Sequence, residues 1–575
     1  MTFQALALVV QKLEGTPSRN TMTEILADLF SNSKESEIGE ICYLLQGRVA
    51  PLYEAIEFGV ADKLMIRAIA LAYDEDESHV TTLFKKYGDL GIAAEEIAKT
   101  HQKQETTISV HDVFLKLKAI AELGGAGSQE QKVQTLSNLL SSSHSLAVRF
   151  LVRIPLDKLR LGFSDMTMID ALSFMLTKDK SNRDAIEAAY DVRPDLGYIA
   201  TKLKIHGMAG ISHVEARVGA PILAALCQRL PNAEEMIKKM GNVDVEPKYD
   251  GVRTQIHFQK TKDGVTVSSY SRNLENTTAM YPELKKIAGQ IHAESVILDS
   301  EAVGYDEKTH RIIPFQETMT RKRKHNIVGA TQSVPLRFFV FDILSKNGKD
   351  LMGTPLSKRR ELLEETITKG PILSVSPHIV TDDIATLRTY HTEQIEKGLE
   401  GVVVKKWEGM YEPGRRGFTW VKFKEENKVG KLADTIDAVV MGYYKGEGKR
   451  TDFGIGAFLV GVKKGETFVT MTKIGTGVSD ELWKEMKTAF NRESSKEKPK
   501  TYADVDKIFL PDVWVSPAIV VEIAADDITK SPSHGAKFAL RFPRLVRIRT
   551  DKNANQVTTV GELEVMYHNQ ESVKS

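Results

Sequence analysis

The sequence predicts a multidomain α+β chain: an all-helical first domain, a mixed α/β domain rich in antiparallel sheet, and a small closing β-barrel. Three observations carry this reading. The 575 residues suggest about three to five domains at roughly 100–200 residues each. Up to about residue 213, apolar residues recur at three- and four-residue spacing, as on one face of a helix. From about residue 243, short β-rich runs punctuated by Gly, Asp and Asn replace that pattern.

The helical part begins at the N-terminus, where residues 1–10 are apolar, lack a basic lead, and run into Gln11-Lys12-Leu13-Glu14. This is an amphipathic helix, not a signal peptide. Ser109 and Asp112 resemble a capping box ahead of Val113, Leu117, Ile120 and Ala121. Gly124-Gly125-Ala126-Gly127 then breaks the chain, and Ser128 is expected to cap a helix carrying Val133, Leu136, Leu139 and Leu140.

In the central part, residues 265–267, 295–298 and 337–341 read as strands, with helical stretches at 282–291 and 356–368. Residues 425–431 form a charged linker. Beyond it, 437–442, 457–462 and 518–523 read as strands with a Lys464-Gly465 turn, which suits a five-stranded oligonucleotide-binding barrel. The run 493–500 reads as a solvated loop. The expected domains are 1–213, 214–427 and 428–575.

Composition narrows the class without choosing a partner. The 78 basic and 77 acidic side chains leave a formal charge of +1, so a nucleic-acid footprint must be local. Two cysteines, Cys42 and Cys227, exclude a disulfide framework and a four-cysteine zinc site, and fit a reducing compartment. No run of about 18 apolar residues occurs, so a soluble, cytoplasmic protein with no membrane partner is expected.

The chemistry centres on Glu246-Pro247-Lys248-Tyr249-Asp250-Gly251-Val252-Arg253. A lysine attacks as the neutral amine, so Lys248 needs desolvation or nearby positive charge, and Arg253 or a bound cation is expected to supply it. Taken alone, so short a pattern also fits an exposed turn lysine. Glu301 and Glu400 are each expected at the end of a buried apolar strand, and two such carboxylates can hold Mg²⁺ against phosphates. Lys422 and Lys424 alternate in strand fashion and share a face, which is costly unless phosphates neutralise them.

The Lys248 segment resembles the nucleotidyl-transferase motif of ATP-dependent DNA ligases. The resemblance extends through Tyr270–Asn276, Leu298–Val303, Phe338–Leu344, Leu399–Lys405, Gly417–Lys424 and Leu540–Lys552. It covers nearly the whole chain and is most similar to archaeal-type members, including Leu159-Arg160-Leu161-Gly162 in a helical DNA-binding domain. It implies that Lys248 takes AMP from ATP, that Glu246 accepts a hydrogen bond from the adenine amino group, and that Phe341 stacks on adenine. Arg253 is expected at the ribose and phosphates, Arg272 at the ribose and the nick phosphate, and Arg416, Lys422 and Lys424 at ATP. Glu301 and Glu400 take the metal, while Arg544, Asp551 and Lys552 grip the leaving pyrophosphate.

The implied function is sealing of 5′-phosphate/3′-hydroxyl nicks in double-stranded DNA, in replication, repair and recombination, through lysine–AMP and adenylated DNA. The implied cofactors are ATP and Mg²⁺, with Mn²⁺ as a substitute. The basic run 321–324 is read as a DNA or structural contact, not a nuclear signal. A monomer in prokaryotic, nucleoid-associated cytoplasm is expected. A sliding clamp is an expected partner, although no clamp-binding peptide with paired aromatics stands near the N-terminus. The rivals are an RNA ligase, a GTP-using capping enzyme, an NAD-dependent ligase and a non-catalytic DNA-binding scaffold with an inert Lys248.

Overall fold

The computed structural model describes the chain apart from residues 102–106, 160, 231, 307–310, 314–334, 415–416, 425–434, 447–453, 476–477, 479 and 573–575. Arg160, the basic run 321–324, Arg416 and the expected linker 425–431 therefore lie outside the described residues. The chain divides into two compact units, Met1–Lys424 and Glu425–Ser575.

The first unit opens with helices that run from Phe3–Glu14 to Leu196–His206 around a core that includes Phe3, Leu26, Phe30, Ile38 and Phe150. Each such side chain removed from water contributes about 1.5–3 kcal/mol. Helix Val110–Glu122 starts as its sequence requires: the Ser109 side chain accepts from the Asp112 N–H, and Val113, Leu117 and Ile120 are buried. The next helix, Ser128–Ser141, corrects an expectation. Gly127, at φ +81°, is the cap, and Ser128 is the first helical residue without a capping bond. Only glycine enters that backbone region cheaply, so the break falls one residue earlier than expected.

Two sheets follow. A five-stranded sheet runs Gln228–Arg229, Trp420–Lys424, Gly401–Lys406, Val243–Pro247 and Ile379–Thr381. A second sheet runs Gly264–Ser271, Val252–Thr261, Ser295–Asp306, Leu336–Lys346 and Lys349–Asp350, with Arg311–Ile312 and Leu373–Val375 joined at its side. The stretch expected as helical at 282–291 is a 3₁₀ helix over Pro282–Gln290, burying Leu284, Ile287 and Gln290. That three-residue period matches three residues per turn. The segment 248–251 carries the chain from the first sheet to the second.

The second unit is sheet-rich. Strands Thr467–Ile474, Ala457–Lys464, Ile436–Tyr444, Val513–Val515 and Ser494–Ser495 lie in that order, and Val520–Ala524 bridges Ile436–Tyr444 to Arg544–Ile548. Its core includes Val440, Phe458, Met471, Val521 and Ile523. Short strands extend the five expected. Ser494 and Ser495, expected in a solvated loop, pair with Val515 and Trp514. A two-residue strand is too short to show an alternating pattern in sequence.

Candidate active site

Backbone pairing beside two strands brings the central charges together. The Lys248 N–H donates to the Gly401 carbonyl (2.9 Å), and the Lys248 carbonyl accepts from the Glu400 N–H (3.2 Å). The Lys248 ammonium consequently meets the Glu400 carboxylate directly. Gly401 lies opposite Lys424, whose Nζ is 3.0 Å from the same Glu400 oxygen. Burial would raise the Glu400 carboxyl, but Lys248 and Lys424 outweigh it and hold it down at about 2. Gly401 has φ +124°, and a Cβ there would lie 2.3 Å from the Phe423 carbonyl oxygen, so only glycine permits this register.

Gly251 has the same kind of constraint. A Cβ would sit 2.5 Å from the Ala302 carbonyl oxygen and 2.9 Å from Glu301 Cγ. Bare backbone therefore packs over Glu301, which lies opposite Arg253 in the antiparallel register. Burial pushes the Glu301 carboxyl up to about 7, with Lys248 and Arg253 pulling it down and Asp299 and Asp250 adding to the rise.

Arg253, one of the two expected sources of positive charge near Lys248, is itself paired with a carboxylate. Its Nε and Nη2 donate to the two Asp299 oxygens at 3.0 and 2.6 Å, and Nη1 donates to the Ala225 carbonyl at 2.6 Å. Tyr411 closes this network by donating to Asp299 (2.8 Å) and accepting from the Ala225 N–H (3.0 Å). The nearest counter-group to Arg253 is thus a buried carboxylate, which neutralises it locally. Its ring-face neighbours are Phe341 and Trp420, with centroids 5.5 and 5.4 Å away.

On the other side, Glu246 is 2% exposed and is held by Lys405 (2.7 Å) and Arg360 (2.9 Å). Phe341 is half-buried and meets Trp420 edge-on, whereas its neighbour Phe339 stacks on Tyr249 at 4.4 Å. Lys422 lies on the same strand as Lys424, opposite Val403. Burial, Arg229 and Lys424 push its ammonium down. Arg272 is exposed at the end of strand Gly264–Ser271 and lines a small hollow with Arg253, Asp299 and Ile222.

The structure thus gathers Glu246, Lys248, Arg253, Glu301, Phe341, Glu400, Lys422 and Lys424 where the two sheets meet, with Arg272 at the margin. Sequence reasoning missed Asp299, Arg360, Lys405 and Tyr411. Asp299 precedes Glu301 by two residues on one strand and could have been found by that alternation. Arg360 comes from a separate helix, Leu356–Thr366, and gave no local signal.

In the second unit, Asp551 pairs with Arg549 (2.7 Å), and Lys552 pairs with Asp437 (2.5 Å). The Arg549 partner holds the Asp551 carboxyl below the usual carboxylate range. Arg544 is separate from that cluster and pairs with Asp526 at 2.8 Å.

Residues 2–173 match the DNA ligase N terminus, 221–424 the ATP dependent DNA ligase domain, and 451–552 the ATP dependent DNA ligase C terminal region. A probable DNA ligase of Dictyoglomus turgidum is 42% identical over 100% of this chain and 99% of the relative. The chain belongs to the ATP-dependent DNA ligase family. DNA ligase 1 of Methanosarcina acetivorans is 36% identical over 98% of each chain. The solved structure Pmar-Lig_Pre shares the fold at 19% identity, with a TM-score of 0.54 over 95% of this chain and 99% of that one. As a member of this family the protein is an ATP-using, DNA-binding ligase, and nick sealing is the general reaction of such enzymes.

Family membership also implies a divalent metal. Among the described residues no group of three or more His, Cys, Asp or Glu is arranged to hold one. Glu301 and Glu400 nevertheless fit a partial site, because both lie beside Lys248 and burial makes the charged form of Glu301 costly until a further cation is at hand. Mg²⁺ takes few protein ligands and fills its shell with water and phosphate oxygens. No helix among the described residues is long and apolar enough to cross a membrane.

Proposed function

We propose that Lys248 is the nucleophile of a three-step nick-sealing reaction. Its neutral amine attacks the α-phosphorus of ATP; the N–P bond forms as the bond to the bridging oxygen breaks, and pyrophosphate leaves. The 5′-phosphate of a nick then displaces Lys248 from AMP, and the 3′-hydroxyl displaces AMP.

The observation that carries this reading is the placement of Lys248 at the meeting of two sheets, against Glu400 and Lys424 and beside Glu301. Glu400 orients the amine. Lys422 and Lys424 stabilise charge on the α-phosphate, and such pre-positioned charge is the main resource of phosphoryl-type transfer. Arg253 faces the ribose and phosphates with its guanidinium fixed by Asp299. Glu246 meets the adenine amino group, and Phe341 stacks on the base. Glu301 and Glu400 hold Mg²⁺, which when bound offsets phosphate charge.

In this reading Arg272 contacts the nick, Arg416 contacts ATP, and Arg544, Asp551 and Lys552 assist pyrophosphate departure. Residues 1–213 form the DNA-binding domain, 214–427 the adenylation domain and 428–575 the barrel domain. The protein acts as a cytoplasmic, nucleoid-associated monomer in replication, repair and recombination, with a sliding clamp as partner. The test is to incubate the protein with α-labelled ATP, GTP or NAD and Mg²⁺, then add nicked DNA. The expected result is label from ATP that stays on the protein under denaturing conditions, passes to the 5′ end of nicked DNA, and is released as AMP as the DNA is sealed. No label from pyrophosphate-stripped protein would favour the inert scaffold.

A further inference from the structure

We infer that Lys405 and Arg360 determine which nucleotide this site accepts, by fixing Glu246 as a hydrogen-bond acceptor toward the base. This rests on the reading of Glu246 as the adenine contact.

The two cations grip different oxygens of one carboxylate. Lys405 Nζ is 2.7 Å from Oε2, and Arg360 Nη1 is 2.9 Å from Oε1. Both cations are themselves fixed. Lys405 donates to the Phe341 carbonyl (3.0 Å) and lies 4.9 Å from the Phe341 ring centroid and 4.5 Å from that of Trp420. Arg360 donates to the Ser376 carbonyl (2.5 Å) and to Glu364 (2.8 Å). The plane of the Glu246 carboxylate is therefore pinned from two sides, and each oxygen keeps a second lone pair.

The discrimination follows from hydrogen-bond polarity. Adenine presents an exocyclic amino donor where guanine presents a carbonyl acceptor. An ionised carboxylate can only accept, so it pairs with the amino group and repels the carbonyl, whereas a protonated carboxyl also donates and tolerates guanine. Burial and Asp244 raise the Glu246 carboxyl and Lys405 and Arg360 pull it back down, so the preference for adenine sharpens as pH rises and the acid ionises. The other titratable groups around it are Glu364 beside Arg360, His378 beside Asp244, Tyr249, and Tyr390 on helix Ile384–Glu396. Lys405 and Arg360 act through Glu246 and are positioning residues.

The experiment measures single-turnover labelling of the full-length protein from α-labelled ATP and α-labelled GTP, across the neutral to mildly alkaline range. Lys405→Met is expected to lower the ATP-to-GTP ratio by about ten- to a hundred-fold and to displace its pH dependence to higher pH, with Lys405→Arg restoring both. Arg360→Gln supplies the same readout from the opposite side should Lys405→Met fail to fold. In a Glu246→Gln background, Lys405→Met is expected to change the ratio no further. Equal loss of both labels with no pH displacement would overturn the inference while leaving Glu246 as the base contact. An unchanged ratio in Glu246→Gln would instead overturn the assignment of Glu246, and the inference with it.

Discussion

The neighbouring strands Val243–Pro247 and Gly401–Lys406 carry two lysine–glutamate pairs of opposite polarity: Glu246 with Lys405, and Lys248 with Glu400 at the strand ends. In the first pair the side chains are 3% and 1% exposed; in the second they are 22% and 20% exposed. The same two residue types end up in opposite electrostatic states. Burial dominates at Glu246 and pushes its carboxyl up to about 8, whereas at Glu400 two lysines overcome burial and hold it at about 2. The wetter pair sits where a substrate can enter and displace a partner. The dry pair is suited to fixing a geometry.

The largest expected effect separates the pairs by activity. Lys248→Met abolishes labelling and sealing, a loss of at least about 10⁴-fold when a covalent nucleophile is removed. It costs only about 0–1 kcal/mol of stability, because Glu400 keeps Lys424. Comparable residual turnover in Lys248→Met would break the comparison.

Stability reverses the order. Lys405→Met leaves Glu246 buried with Arg360 alone and is expected to cost up to about 3–5 kcal/mol in chemical denaturation. That cost grows with pH, since a protonated Glu246 needs no second cation. A cost that does not vary with pH would contradict the dry-pair reading.

The two carboxyls also bend the pH–stability curve in opposite senses. Glu400 lies below its ordinary 4.5, so its contribution is present above that value and is lost as pH falls toward about 2. Glu246 lies above 4.5, so its contribution is complete below that value and is lost as pH rises through about 8. Glu400→Gln is expected to flatten the acid limb and Glu246→Gln the alkaline limb, as read by denaturation at a series of pH values. The smallest effect lies in the second unit. The side chains of Arg544 and Asp526 are 44% and 45% exposed, so Arg544→Ala shifts stability by about 0–1 kcal/mol. It is nevertheless expected to slow labelling from ATP.

Much of this comparison was legible before any coordinates. The Lys248 segment, Glu400 just ahead of its strand, and the alternating Lys422 and Lys424 are local patterns, and the helical periodicity around Val113 and Leu117 led directly to buried faces, whereas Glu301, expected at a strand end, lies within the longer strand Ser295–Asp306. What was hidden depends on distant residues. Arg360 reaches Glu246 across 114 positions, and Asp299 captures Arg253 across 46, so neither pairing leaves a mark on its own stretch of sequence. Small boundary errors had local causes, as where the left-handed Gly127 displaced Ser128 from the cap, or where Pro282–Gln290 wound at three residues per turn.

The most direct test is a peptide map of the full-length protein after incubation with ATP and Mg²⁺, read by mass spectrometry under conditions that preserve the phosphoramide bond. AMP on Lys248, and on no other residue of the wild-type protein or of Lys248→Met, is the predicted result. AMP carried by Lys405, Lys422 or Lys424, or an adduct that persists in Lys248→Met, would contradict the assignment of chemistry to the exposed pair.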